Sequence, residues 1–152
     1  MLSPAPAVHA LFVAGVAAAV VATLVMDVVM ARLPEGETPP FVASGVLTGS
    51  HPDDAPAGLA NVVHYVAGLL TGALFAWLVL AAASLLDGAL VVVATAAVVH
   101  YVLMVGFFVI VVLPRSQVER ERVSCIRRDW AIDAGAYLAV LVPVVGVAAT
   151  ML

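Results

Sequence analysis

Four ionisable side chains interrupt long apolar runs in this 152-residue chain: Asp27, His64, His100 and Asp133. An ionisable group in hydrocarbon is costly, and it faces a bundle interior or a water-filled cavity more often than lipid. Two carboxylates with imidazole suit a hard or borderline divalent cation such as Mn, Fe or Zn. The same groups bind and release protons. Two imidazoles on facing helices are also the axial ligand set of haem b. The histidines occur in a repeated pentapeptide, VVHYV, at Val62–Val66 and again at Val98–Val102.

The elements that must position these groups are legible from composition. The chain is 64% hydrophobic and only 11% charged, with mean hydropathy +1.18. A soluble domain of this size has about a quarter of its residues charged, so most of this chain takes lipid as its solvent. Four apolar segments reach spanning length, at about Val8–Ala31, Pro56–Ala83, Ala89–Leu113 and Trp130–Leu152. The expected fold is all-α, a single domain with four transmembrane helices running up-down-up-down. Short interfacial helices are expected in the two long connections. No basic residue precedes Arg32, so the first segment lacks the positive region of a cleaved signal peptide and reads as a retained helix. One cysteine, Cys125, leaves no internal disulfide and no paired-cysteine metal motif. A net charge of −4 with no basic stripe argues against nucleic acid as a partner.

All six basic residues are arginines: Arg32 after the first segment, and Arg115, Arg120, Arg122, Arg127 and Arg128 between the third and fourth. The positive-inside rule places that side in the cytoplasm of a cell (inner) membrane, with both termini outside. The arginines are read as orientation signals touching anionic headgroups. In the first long connection, Thr38-Pro39-Pro40 opens a short helix whose Phe41, Val42, Val46 and Leu47 are expected at the membrane interface. His51-Pro52-Asp53-Asp54 is a polar turn that could hold a divalent cation, or simply a solvated turn with Asp53-Asp54 capping the next helix. In the second, Ser116-x-x-Glu119 has the capping-box pattern, opening a surface helix with Val118, Val123 and Ile126 toward lipid.

The segment Gly15–Met30, with the pattern Gly-x7-Thr-x2-Met-Asp-x2-Met, resembles the first helix of small four-span bacterial and archaeal membrane families. The absence of lysine is in keeping with a GC-rich, halophilic source. The resemblance covers the first helix, implies a prokaryotic integral membrane protein, and carries no site residues with it.

Helical spacing gives each ionisable residue a coherent face. Thr23 and Asp27 align on the first helix; Asn61, His64, Gly68, Thr71 and Gly72 on the second; His100 with Ala96 and Met104 on the third; Asp129, Asp133 and Tyr137 on the fourth. Counting a rise of ~1.5 Å per residue inward from Arg32, Pro56 and Arg128 puts Asp27, His64 and Asp133 roughly 7–12 Å deep. His100, counted from Pro114, falls at roughly 20 Å. The reading is one cytoplasm-side polar pocket of Asp27, His64, Asp133 and His100, binding or conducting a small cation or proton, with a divalent metal as candidate cofactor. A haem b redox subunit is a further alternative, set back by the depth offset of the two histidines. The competing reading is structural: the four groups only glue helices, and Gly68-x-x-x-Gly72 is a close-packing face for a second copy or a partner subunit in an assembly. No nucleophile motif, phosphate loop or HExxH accompanies the polar groups, so catalysis is not expected.

Overall fold

The structure is a computed structural model that describes residues 4–151, with side chains described for 8–149. Five α-helices account for nearly all of it: α1 Pro4–Met30, α2 Thr38–Thr48, α3 Ala57–Ala83, α4 Ala89–Gly106 and α5 Arg120–Met151. A six-residue π-helical stretch, Phe107–Val112, prolongs α4 and runs into a 3-10 turn at Leu113–Arg115, and another 3-10 turn, Pro52–Asp54, precedes α3. No strand occurs among the described residues. Four helices are long and apolar enough to cross a membrane. The architecture is that of a multi-pass membrane protein whose large outward side chains, Val13, Leu70, Leu90 and Ile110 among them, meet lipid.

Helix α1 packs on α3 and α5, and α4 closes the ring against the same two helices. Contacts between α1 and α3 run in opposite sequence order: Gly15 lies on Gly72, Thr23 on Gly68 and Asp27 on His64. The small residues make this possible. A Cβ on Gly72 would fall under 3.0 Å from both the Ala19 Cβ and the Gly15 carbonyl oxygen. The Gly68/Gly72 face is therefore occupied by α1 of the same chain, and Gly15 and Ala19 are its counterparts. That is the interhelical use of small residues where lipid supplies no apolar drive.

The apolar segment expected from about Trp130 is the greater part of a longer helix: α5 runs unbroken from Arg120 through Pro143, and Leu152 lies outside the described residues. Neither expected side-chain cap forms. Ser116 does not open a capping box. Its hydroxyl donates to the Leu113 carbonyl and accepts from the Val118 N–H, closing a turn ahead of the helix. Nor do Asp53 and Asp54 cap α3, whose N-cap is Pro56 with no side-chain bond.

Helix α2 also differs from expectation. Proline opens it, and Gly49 at φ +71° ends it, with the Ser50 N–H returning to the Gly45 carbonyl at 3.0 Å. Val42 does not meet the membrane interface. It is fully buried with Phe108, Leu113 and Ile126, and Val118 and Val123 pack on the same cluster. The residues assigned to lipid on both connections thus turn toward one another, forming a second small core that ties α2 to the π-helical stretch and the start of α5. Leu47 alone of the α2 set is strongly exposed.

Candidate functional site

Asp27 and His64 meet directly. The Asp27 Oδ1 and His64 Nε2 lie 2.6 Å apart, and the Tyr65 hydroxyl donates to the other carboxylate oxygen at 3.0 Å. Successive residues of α3 thus flank one carboxylate, with the His64 and Tyr65 rings edge to face at 5.1 Å. Thr23, on the same face of α1, donates not to Asp27 but to the Ala19 carbonyl of its own helix.

His100 and Asp133 take no part in that contact. Both are fully buried, and none of their side-chain polar atoms has a hydrogen-bond partner among the described residues. Asp133 is therefore not paired with Arg128 or Arg32. Arg128 bonds Asp129 through Nε at 2.8 Å. The register of α4 on α5 is fixed by the Trp130 Nε1–H donating to the Met104 carbonyl, by the Tyr101 hydroxyl donating to the Ala131 carbonyl, and by Val93 beside Gly146. Continuing that register brings His100 level with Asp133. The expected depth offset between them came from counting inward from Arg128, whereas α5 starts eight residues earlier, at Arg120. The His100 ring packs on Phe75 and Tyr137, with centroids 5.5 and 6.5 Å away. Tyr137 and Thr71 stand beside this pair. The Tyr137 hydroxyl donates to the Gly68 carbonyl at 2.7 Å and accepts from Thr71 at 3.0 Å.

Of the four predicted groups, Asp27 and His64 form a bonded pair, and His100 and Asp133 are each buried without a hydrogen-bond partner among the described residues. No three His, Cys, Asp or Glu side chains among the described residues converge as a metal cage. A cavity of about 190 Å³ lies alongside, walled by His64, Thr71 and Tyr137 and by apolar side chains of α1, α2, the π-helical stretch and α5.

At one end of the bundle the two long connections and the start of α5 are locked together by charge. Arg122 makes a two-pronged contact with Glu35, Nε to Oε1 at 2.8 Å and Nη2 to Oε2 at 2.9 Å, and reaches Asp53 at 3.1 Å. His51 bridges toward Glu119 at 3.2 Å. The Glu35 N–H donates to Asp129 at 2.8 Å, and Gln117 donates to the Gly49 carbonyl. Arg122 is thus committed to carboxylates of the protein rather than to headgroups, and His51 and Asp53 belong to the same network. Sequence reasoning missed it because the partners lie up to 94 positions apart. The available signal was the acidic residues of the first long connection, Glu35 and Asp53, facing an arginine-rich one.

The Arg122 hydrogen bond is the largest influence on Glu35, and it holds that carboxyl below the ordinary glutamate range against the opposing effect of burial. A depressed folded-state pKa contributes stability that is fully present above the unfolded value, near 4.3, and is lost as pH falls through the lower folded value. The melting temperature in detergent should therefore drop as pH falls below about 4.3. Glu35→Gln should start lower and show a shallower acid slope; an unchanged slope would refute the assignment.

No protein-family model, no curated protein and no solved structure matches this chain.

Proposed function

We propose that this is a small four-span membrane protein, threaded up-down-up-down, that binds a proton or small cation at intramembrane carboxylate–imidazole sites. The observation that carries the reading is the 2.6 Å contact between Asp27 and His64 within two spanning helices. A carboxylate and an imidazole that close share a proton readily, and a low-dielectric setting strengthens their coupling. His100 and Asp133, each buried without a hydrogen-bond partner among the described residues, add unmet capacity that favours a bound proton, water or cation. Binding is better supported than conduction, because beyond His100 the spans offer only scattered hydroxyls such as Thr95.

A divalent metal at Asp27, His64, His100 and Asp133 has less support, since no three such ligands converge among the described residues. Haem has less again: His64 Nε2 is taken by Asp27, and His100 is enclosed by Phe75 and Tyr137. Association through Gly68 and Gly72 would require displacing α1. For orientation, the arginine-bearing end is placed in the cytoplasm on the positive-inside rule.

Infrared difference spectra on acidification test the reading. A protonated-carboxyl band should appear in the native protein, be lost in Asp27→Asn, and move in frequency in His64→Ala, where the 2.6 Å hydrogen bond to the carboxyl is gone. An unaltered band in both variants, with normal folding, would leave these residues structural. Stoichiometric Mn, Fe or Zn in protein purified without chelator would replace the proton by a metal.

A further inference from the structure

The cavity beside His64 has the shape of a site for something other than a proton. It measures about 190 Å³, somewhat more than the ~150 Å³ of an apolar cavity known to stay dry and admit benzene. Four of its wall residues are aromatic: Phe107, Phe108, Trp130 and Tyr137. Phe107 and Phe108 come from the π-helical stretch, a departure from α geometry that recurs at functional sites. The wall makes almost no polar demand of its own. Thr23 is satisfied by Ala19, while Thr71 and Tyr137 satisfy each other and the Gly68 carbonyl. The exception is His64. Asp27 takes its Nε2, which leaves Nδ1 as the acceptor of a neutral ring whose Nε2–H faces the carboxylate. Access is from the lipid, because two wall residues, Ala67 and Phe107, are also exposed on the outer surface of the spans.

We infer that this cavity binds a hydroxylated aromatic ring of the phenol or quinol class, delivered from the bilayer, its ring against Phe107 and the packed Phe108–Trp130 pair and its hydroxyl donating to His64 Nδ1. The size and aromatic walls select a flat ring. The dry surroundings and one acceptor select a single polar substituent on it. The inference stands on the cavity and on the Asp27–His64 contact, not on proton binding, and the test does not read protonation.

The chain has two tryptophans, so Trp77→Phe leaves Trp130, in the cavity wall, as sole reporter. In phosphatidylcholine nanodiscs, 4-bromophenol should quench Trp130 saturably. It should bind about three- to tenfold tighter than bromobenzene, the difference one hydrogen bond makes. Ala67→Phe, at a lipid-exposed position, should fold normally and abolish saturation. His64→Gln should erase the preference for the phenol while bromobenzene still quenches. Linear, non-saturating quenching would overturn the site, as would equal binding of the two probes. Quenching by phospholipid with brominated chains that 4-bromophenol fails to displace would also overturn it, by making the cavity a niche for an acyl chain.

Discussion

Gly72→Leu is expected to break the protein. Even the first added carbon would fall under 3.0 Å from the Ala19 Cβ and the Gly15 carbonyl oxygen, one of them backbone that cannot rotate away. Helices α1 and α3 would have to separate. Overpacking of this kind costs about 1–3 kcal/mol and occasionally more, so Gly72→Ala should fall in that range and Gly72→Leu beyond it. Separation would also pull Asp27 from His64, because both contacts lie along the same helix pair. Thermal unfolding in micelles, followed by circular dichroism, measures the effect. Gly58→Ala is the matched control. Nothing lies within 4 Å of its added carbon, and replacing a helical glycine by alanine stabilises by about 0.5–1 kcal/mol. Equal melting temperatures for the Gly72 and Gly58 variants would show that the close approach of α1 and α3 is not what holds the bundle.

Arg122→Gln should loosen the capped end without unfolding the spans. The guanidinium is 28% exposed and its main partner Glu35 15% exposed. The contact therefore belongs neither with surface pairs, worth about 0–1 kcal/mol, nor with fully buried ones, where removing a partner costs about 3–5. A loss of about 1–3 kcal/mol between those limits corresponds to roughly 5- to 150-fold faster opening of the connections at tenfold per 1.4 kcal/mol. Hydrogen exchange should register it at residues 33–55 and 116–122, with the middles of α1, α3 and α4 unchanged. Arg122→Lys should recover little, because an ammonium cannot reproduce the two-pronged contact with Glu35. Exchange rates unchanged in Arg122→Gln would mean that α2 is held by Val42 and its apolar neighbours alone.

These outcomes bear on how the two ends of the candidate site are held. Asp27 is three residues from the end of α1, and Pro39 and Pro40 of α2 form part of the wall of the cavity that His64 lines. A cap released by Arg122→Gln would thus open the cavity without altering the Asp27–His64 contact itself. The Gly72 variants would act on the contact directly.

The sequence by itself determined the four spans and the short α2. Hydrophobic length and turn chemistry are local properties, and no long-range partner competes with them in lipid. It also picked out Asp27, His64, His100 and Asp133, because an ionisable group in an apolar run is conspicuous whatever surrounds it. The periodicity that put Asp129, Asp133 and Tyr137 on one face holds, all three being fully buried.

Only the tertiary structure decided which of these groups meet. Helix α5 begins at Arg120 rather than near Trp130, and that moves Asp133 to the level of His100. A depth counted from Arg128, eight residues inside α5, carries that offset along every turn. The two VVHYV copies also part ways. In the first, His64 and Tyr65 converge on Asp27. In the second, His100 turns inward while Tyr101 reaches the Ala131 carbonyl. An identical pentapeptide presents the same side chains at the same angles, so the difference comes from the neighbouring helix. The inward turn of Val42 and Ile126, and the binding of Arg122 to Glu35 and Asp53, have the same origin. Apolar and charged residues on two connections satisfy one another more fully than lipid or headgroups would, once the bundle brings them together.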